Sequence, residues 1–276
     1  MSHPNSPITP ELLVTAVHEF QLANPSLQVC ALVYGVAYPQ LFGELRQWFG
    51  GETANARLAL LFDASSEDGA DQYGPYLVRL APGAAQPTKL MTQLARCCVD
   101  DFRGVSFLFT PLDFEALVAG LRARLDVVCE DRSEWQMKFF DTRSLAVLDR
   151  TLSTEQRTTY FEVVKTWWYV DRHGNLQKID GLGLSADTYC GPLQLTEQQT
   201  TAFVDAGLPD AVLHVLSQTD DDLLAAFDAR TRYLIAEASI ARAMPDERNS
   251  MPLLADRVRA ALLENTTSSN TSTEQI

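Results

Sequence analysis

Histidine is scarce in this chain, which has only four in 276 residues. His3 lies near the N-terminus, His173 in a predicted turn, and His18 and His214 on separate predicted helices. There is no HExxH or HxH motif and no Cys/His cluster, so the sequence predicts no zinc or iron site. A P-loop and a GxSxG elbow are also missing. We therefore expect no metal and no cofactor.

Long apolar runs and paired cysteines are lacking too. No apolar run approaches the ~18–20 residues that span a bilayer. The N-terminal stretch MSHPNSPITPELL has neither the basic region nor the apolar region of a secretory signal. The five cysteines are odd in number and show no CxxC spacing, which is typical of small buried side chains in a reducing compartment. These absences predict a cytoplasmic protein without a membrane partner.

Basic residues are outnumbered, with 22 Lys and Arg against 36 Asp and Glu, a net charge of −14. Nucleic acids and anionic membranes require basic patches, so neither is an expected partner. A basic or mixed-charge protein partner is favoured. The excess is uneven, because from Asp187 onward 14 acids stand against 6 Arg and no Lys. This shift in composition predicts two lobes.

What the chain does have is the patterning of an α/β domain followed by helices. The apolar runs QVCALVYGV (28–36), ARLALLFD (56–63) and GVSFLFT (104–110) predict buried strands, with helical periodicity between them. Hairpin patterns at 125–141 and 166–180 mean that the sheet cannot be purely parallel. We predict an α/β (α+β) fold, in which a mixed sheet of about six or seven strands with flanking helices precedes an all-helical C-terminal lobe.

The domain boundaries follow from composition. Thr9-Pro10, Thr88 and Asp113 mark helix starts in the first part of the chain. The tail is a polar Asn/Ser/Thr tract without apolar periodicity, which favours disorder. The predicted divisions are an α/β domain over 1–180, a Gly-rich linker over 181–195, an acidic helical client-binding lobe over 196–264 and a disordered tail over 265–276.

The stretch FFDTRSLAVLDRTLSTEQRTTYFEVVKTWWYV (139–170) contains an Asp-x-Arg pair that has two interpretations. Asp141 stands where a strand gives way to a helix, so its carboxylate can cap that helix, with Arg143 just inside. The pair could instead stabilise a phosphate or a general-acid step. An enzyme would need a second carboxylate, a nucleophile or a metal nearby, and the sequence nominates none. We favour a structural corner without catalytic residues, and keep an enzyme that uses Asp141 and Arg143 as a lesser alternative.

Two further segments are candidates for partner binding. Trp167, Trp168 and Tyr169 alternate faces if they form a strand, so at least one Trp is expected to turn outward or against the next lobe. In TDDDLL (219–224) three acids could bind a cation or, more simply, offset the dipole of a helix capped by Thr219. The candidate residues in the helical lobe are Asp220, Asp221, Asp222, Phe227 and Arg230.

An ordered set of segments resembles the bacterial type VI secretion effector adaptors, chaperones whose shared N-terminal region was long catalogued only as a domain of unknown function. The segments cover about residues 28–180 and are CALVYGVAYPQLFGELR, ARLALLFD, GPYLVRL, GVSFLFTPLDFEALVAGLRARLDV and KFFDTRSLAVLDRTLSTEQRTTYFEVVKTWWYV. The strongest likeness lies in Gly74–Leu80, the ALVAGLRARL helix and the Phe-Asp-x-Arg corner. The chain departs from the usual family pattern at Tyr34, where the family has Asp, and at Thr142, where it has Pro. The resemblance marks five residues as structural parts of the family motif: Gly74, Pro75, Tyr76, Asp141 and Arg143.

This resemblance implies a non-enzymatic adaptor that binds one cognate toxic effector in the cytoplasm and loads it onto the spike-tip (VgrG) protein for delivery. We expect the α/β domain to supply the common docking function and the helical lobe to grip the client. An immunity protein, which binds and neutralises a toxin, would be equally acidic and equally inert chemically. It remains the alternative.

Overall fold

The computed structural model describes residues 7–62, 73–80 and 88–273. Within these ranges the chain forms nine strands and twelve helices. The strands are β1 (Gln28–Tyr34), β2 (Leu58–Leu60), β3 (Pro75–Arg79), β4 (Val105–Thr110), β5 (Asp126–Cys129), β6 (Glu134–Gln136), β7 (Thr166–Val170), β8 (Leu176–Asp180) and β9 (Leu193–Leu195). The helices are α1 (Pro10–Ala23), α2 (Leu41–Phe49), α3 (Gly51–Asn55), α4 (Lys89–Asp100), α5 (Phe114–Ala123), α6 (Thr142–Thr151), α7 (Thr154–Tyr160), α8 (Glu197–Thr219), α9 (Asp221–Ala225), α10 (Ala229–Ala241), α11 (Pro245–Arg248) and α12 (Met251–Thr273).

The main sheet has six strands in the order β2-β3-β1-β4-β7-β8, and every neighbouring pair is antiparallel. All six residues of β4 are buried, as are the five middle residues of β1. A strand covered on both faces has no solvent side, which explains why these strands are continuous apolar runs rather than alternating ones. Helices α1, α2 and α4 cover one face, where Leu13, Leu45 and Leu94 join the core.

A second, three-stranded sheet has the order β6-β5-β9. Strand β5 is antiparallel to β6 and parallel to β9. The α/β fold class with flanking helices and a helical C-terminal region is therefore confirmed. The hairpin expected at 125–141 belongs to this small sheet and not to the main one.

Side chains near the chain's helix starts accept hydrogen bonds from backbone N–H groups that lack a partner within the helix. Thr9 accepts from Leu12 N, Thr88 from Met91 N and Asp113 from Ala116 N. Pro10 occupies the first turn of α1, where its missing N–H has no consequence. These caps stabilise their helices by about 1 kcal/mol each. None of the described helices combines the length and apolar character needed to cross a bilayer.

The chain divides into two compact units, residues 1–200 and 201–276. The second unit is helical and has a core of its own, which includes Leu216, Ile240, Val258 and Leu262. Its last helix, α12, continues to Thr273. This corrects the prediction of disorder over 265–273, while residues 274–276 lie outside the described part of the chain.

Two polar side chains near the end of α12 donate hydrogen bonds to backbone carbonyl oxygens of the same helix. The Asn265 side chain donates to the Ala261 carbonyl oxygen at 2.8 Å, and the Thr266 hydroxyl donates to that of Leu263 at 2.7 Å. These bonds show that the backbone is still helical at residues 265–266, beyond the end of the apolar stripe. The prediction from composition, which ended the helical lobe at residue 264, therefore ended this helix too early.

Candidate functional site

Asp141 and Arg143 form an ion pair at the start of α6. Asp141 is the N-cap residue, and its carboxylate accepts from the Arg143 backbone N–H at 3.0 Å. The same carboxylate accepts from Arg143 Nε at 2.9 Å and from Nη2 at 2.6 Å. Because both Asp141 oxygens are engaged by the helix start and the adjacent guanidinium, the pair fixes the corner at which the chain enters α6.

A second pair with the same spacing lies between α4 and β4. Asp101 accepts from the Arg103 backbone N–H at 3.0 Å, from Nε at 2.9 Å and from Nη2 at 2.7 Å. Burial alone would raise the pKa of Asp101, but the hydrogen bonds from Arg103 outweigh it and lower that pKa below its usual value. The same contact raises the pKa of Arg103. Both groups are therefore held charged and paired.

The two Asp-x-Arg pairs are joined by Thr142. Its backbone N–H donates to the Arg103 carbonyl oxygen at 3.3 Å, and its hydroxyl donates to the Phe102 carbonyl oxygen. The resemblance to the type VI effector adaptors predicts proline at this position. A proline could make neither bond, so threonine ties the α6 corner to the turn before β4.

Tyr34, at a position where the resemblance predicts Asp, lies near both pairs. Its backbone N–H donates to the Gly104 carbonyl oxygen at 2.8 Å, and its ring centroid lies 5.1 Å from that of Phe140. Partial burial raises the pKa of Tyr34, and the nearby Asp141 carboxylate raises it further. The half-buried phenol is thus kept in its neutral, hydrogen-bonding form.

Gly74 and Pro75 bring a further loop to the same end of the main sheet. Pro75 is paired with Tyr34 across β3 and β1, and the Gly35 N–H donates to the Gly74 carbonyl oxygen at 3.2 Å. We call the whole arrangement the four-loop site. It consists of residues 34–38, 73–75, 101–104 and 139–143.

Gly104 sets the distance between two of these loops. A Cβ on this residue would come within 2.9 Å of the Ala37 Cβ and still closer to the Tyr38 ring. The Tyr38 hydroxyl in turn donates to the Cys97 carbonyl oxygen at 2.6 Å and anchors the first loop on α4. A glycine is therefore required for this close approach.

Within the described residues, the four-loop site exposes one aliphatic, one aromatic and one cationic side chain to solvent. Val36 is 55% exposed, Tyr73 is 50% exposed and the Arg103 side chain is 46% exposed. The two carboxylates are each held by an arginine, so the two pairs together carry no net charge. Among the described residues, no group of three or more His, Cys, Asp or Glu side chains is arranged to hold a metal ion.

Tyr76 differs from the other motif residues because it points into the core. Its ring centroid lies 5.0 Å from that of Phe42 on α2, and the side chain is fully buried. Burial raises the pKa of its phenol, and its hydroxyl has no hydrogen-bond partner within the described part of the chain. Tyr76 therefore packs the sheet beneath the four-loop site and does not line it.

The Trp-Trp-Tyr run of β7 is buried on both faces, which corrects its assignment to partner binding. The Trp167 indole donates to Ser106 Oγ at 2.9 Å and packs on Phe139 and Phe161. Trp168, on the opposite face, packs on Phe109 and Phe20, and Tyr169 is buried as well. The strand alternates as expected, but helices and loops cover both sides of the sheet, so neither tryptophan is exposed.

The candidates in the helical unit are not one cluster. Asp220 accepts from Arg259 Nη2 at 2.9 Å, and that contact is the main cause of its lowered pKa. Thr219 ends α8 and donates its hydroxyl to Asp220, so it does not cap α9 as the sequence suggested. Asp221 and Asp222 are exposed in the first turn of α9.

Phe227 and Arg230 complete that set. Phe227 is half-buried and packs against the core of the helical unit. Arg230 is half-buried in the first turn of α10. The exposed carboxylates of Asp221 and Asp222 remain the accessible part of the predicted binding group.

A buried arginine that sequence reasoning missed holds the segment between the β8 and β9 strands. Arg124 is fully buried, and its guanidinium donates to the carbonyl oxygens of Tyr160 at 2.6 Å and Gly120 at 2.7 Å. It also donates to the Asp187 carboxylate from Nη1 at 2.7 Å and from Nη2 at 2.8 Å. The Tyr189 ring stacks on it, with the guanidinium carbon 4.3 Å from the ring centroid. We call residues 184–190 the strap.

The strap is fixed by a second buried charge. Glu162 accepts from the Thr188 backbone N–H at 2.7 Å and from its hydroxyl at 3.0 Å, and it lies 3.8 Å from Arg124. The Leu184 N–H donates to the Glu162 carbonyl oxygen. The segment 181–195 therefore belongs to the first unit, which corrects its prediction as a flexible linker, because glycine content does not reveal bonds to residues far away in sequence.

Replacing Gly181 with alanine is expected to lower the free energy of unfolding by about 1–3 kcal/mol. A Cβ at this position would strike the backbone carbonyl oxygens of Phe161 and Val164, which cannot rotate away. Gly43 on α2 is the matched control, since a Cβ there meets nothing within 4 Å. Gly43→Ala should stabilise the protein by about 0.5–1 kcal/mol. Urea denaturation measures both, and an unchanged midpoint for Gly181→Ala would contradict the close packing at this point.

Acid is expected to weaken the strap. Burial alone would raise the pKa of Asp187, but its hydrogen bonds and charge contact with Arg124 lower that pKa below the ordinary value of 3.8. A carboxyl whose pKa is lower in the folded state stabilises the fold above its unfolded pKa, and this contribution is lost as pH falls towards the folded pKa. Wild type should therefore lose more stability than Asp187→Asn between pH 5 and pH 3, by urea denaturation. Parallel curves for the two proteins over this range would rule out the effect.

One of three comparisons with known proteins found a match, and it covers the part of the chain that contains the four-loop site. A search of curated proteins and a search of solved structures each found no match. A scan against family models found one over residues 30–159, a range that includes every residue of the four-loop site. Over that range the chain matches the family described as a domain of unknown function, DUF4123.

Proposed function

We propose that this protein is a non-enzymatic adaptor that binds a secreted toxic effector in the cytoplasm and loads it onto the spike-tip protein of a type VI secretion machine. The observation that carries the proposal is the DUF4123 match over residues 30–159. The match covers most of the segments whose order resembles the type VI effector adaptors. The role itself comes from that resemblance.

The geometry of the four-loop site supports binding more than catalysis. A general acid or base must be able to exchange a proton with a reacting atom, whereas Asp101 and Asp141 each have their oxygens occupied by an arginine. The exposed groups at this site are an arginine, a tyrosine and a valine. Arginine and tyrosine are enriched among the residues that contribute most to protein–protein binding.

The helical unit supports a separate contact with the client. Residues 201–276 contain 12 Asp and Glu, 6 Arg and no Lys, and they lie wholly outside the range of the family match. An acidic surface speeds association with a basic partner and suppresses association with acidic ones. A part of the chain outside the shared domain is also the natural place for contacts that differ from one client to another.

The proposal is tested by reconstitution from three purified proteins: this chain, a candidate effector and a spike-tip protein encoded beside it. We expect this chain to form a complex with each of the other two and a ternary complex on size-exclusion chromatography. The effector should co-elute with the spike-tip protein only when this chain is present. Failure of this chain to bind either protein would overturn the proposal, as would an effector that binds the spike tip equally well without it.

A further inference from the structure

The exposed part of the four-loop site consists of three side chains: Val36, Tyr73 and Arg103. Val36 follows Gly35 and Tyr73 precedes Gly74, so the two residues flank a hydrogen bond that joins their loops. Arg103 precedes Gly104, against which the Val36 loop packs through Ala37 and Tyr38. The three loops that carry these side chains are therefore in contact with one another, through a backbone hydrogen bond and through close packing at Gly104.

The Arg103 guanidinium is fixed in one orientation and can still donate hydrogen bonds to a partner. Its Nε and Nη2 edge is fixed by the Asp101 carboxylate, and within the described ranges Nη1 has no acceptor. A guanidinium that is already immobilised loses little conformational entropy on binding. Its remaining N–H groups suit a carbonyl oxygen, which accepts hydrogen bonds from arginine without adding a charge.

The charges around Arg103 also suit burial in an interface. Charged residues are depleted from the centre of protein–protein interfaces because an unpaired charge is costly to remove from water. Here Arg103 and Arg143 each bring their own counter-charge, so a partner can cover them without supplying one. The Asp101 pair therefore lets an arginine donate hydrogen bonds at the centre of a contact while the pair as a whole stays neutral.

The position of the four-loop site within the family match indicates which partner binds it. The four-loop site lies entirely within residues 30–159, the range of the family match. A family model describes the segment that its members share, and a partner that all members use is expected to bind that segment. Under the proposed function the shared partner is the spike-tip protein, while clients differ.

We propose that Val36, Tyr73 and the outer edge of Arg103 form the docking surface for the spike-tip protein, which places a carbonyl oxygen on Arg103 and apolar groups on Val36 and Tyr73. This inference rests on the proposed function and adds to it the side chains that separate the two partners. The effector binds elsewhere on the chain. The acidic helices of the second unit are the expected contact for the client.

The test measures the affinity of each variant for the spike-tip protein and for the effector separately, by isothermal titration calorimetry with the full chain. Val36→Asp, Tyr73→Ala and Arg103→Ala are each expected to weaken spike-tip binding on the order of tenfold to 100-fold. Effector binding should stay within about twofold of wild type, a change well below 1 kcal/mol. Arg103→Lys should also weaken spike-tip binding, because an ammonium cannot bond to Asp101 and to the partner as the guanidinium fork does.

Two variants serve as matched controls. Leu12→Asp changes an equally exposed apolar residue on α1, and Arg150→Ala removes an exposed arginine from α6. Both should bind both partners as wild type does, and thermal melting confirms that each variant is folded. Val36 and Tyr73 are exposed, so at least these two variants are expected to fold.

The outcomes separate this inference from the proposed function. If wild type binds both partners and the variants keep full affinity for the spike tip, the docking surface is wrong while the adaptor role stands. The docking surface is equally wrong if the variants lose the effector and keep the spike tip. If wild type binds neither partner, the proposed function fails and the inference fails with it.

Discussion

Arg124→Met is expected to lower the free energy of unfolding by about 3–5 kcal/mol, which is a large share of the stability of an ordinary domain. Arg124 has no exposed surface and donates five hydrogen bonds, to three carbonyl oxygens and to both oxygens of Asp187. Methionine has a similar volume but leaves the acceptors without donors. It also leaves the carboxylates of Glu162 and Asp187 close together without their shared cation.

The size of this effect depends on burial, and a matched arginine tests that. Arg150 is exposed on α6, and Arg150→Met should change stability by no more than about 0.5 kcal/mol. Guanidinium chloride denaturation gives both values. A loss below about 1 kcal/mol for Arg124→Met would mean that the strap is not fixed by this residue.

A double-mutant cycle separates the ion pair from the other contacts of Arg124. Asp187→Asn removes one charge and keeps the shape, and the two substitutions share a direct contact, so their effects should not add. The double variant is expected to be more stable than the sum of the single losses predicts. Strict additivity would contradict a direct contact between Arg124 and Asp187.

Trp168→Ala is the second large effect, with an expected loss of about 3–5 kcal/mol. The ring lies 4.8 Å from Phe109 and 5.0 Å from Phe20 by centroid distance, and Lys178 Nζ sits 3.9 Å from its centroid. Its indole N–H donates to Thr166 Oγ1 at 3.0 Å. Truncation leaves a cavity between α1 and the main sheet that the rigid strands cannot close.

Trp48 on α2 is the control for Trp168, because it is the same residue type and 52% exposed. Trp48→Ala should cost no more than about 0.5 kcal/mol. Thermal and urea denaturation compare the two variants. Equal small losses would show that Trp168 is a surface residue, and a role in partner binding would again be open to it.

The sequence predicted the elements of the main sheet better than it predicted their surroundings. The apolar runs at β1 and β4 and the helix starts at Thr9, Thr88 and Asp113 depend on local side-chain chemistry, which a sequence displays directly. The exposure of Trp167 and Trp168 depends on what covers each face of β7. Alternation places them on opposite faces but cannot reveal that both faces are covered.

The candidate site could be predicted only in part, for a similar reason. The Asp-x-Arg spacing of Asp141 and Arg143 is visible in the sequence, and the same spacing at Asp101 and Arg103 is an equal signal that sequence reasoning missed. Arg124 and Asp187 are 63 positions apart, and no local pattern marks two distant residues as partners. Arg124 lies seven residues after Leu117, on the apolar face of the α5 pattern, but the pattern does not reveal the distant acceptors that allow an arginine to be buried there.

The most direct test of the adaptor role is secretion from cells that lack this gene. We measure the effector in the culture medium and inside the cells by immunoblot, together with the growth of the mutant. The proposed function predicts an effector that is made but not exported, normal growth of the producing cells, and recovery of export when the gene is restored. Normal export of the effector without this protein would contradict the account, as would self-poisoning of the mutant, which would identify an immunity protein instead.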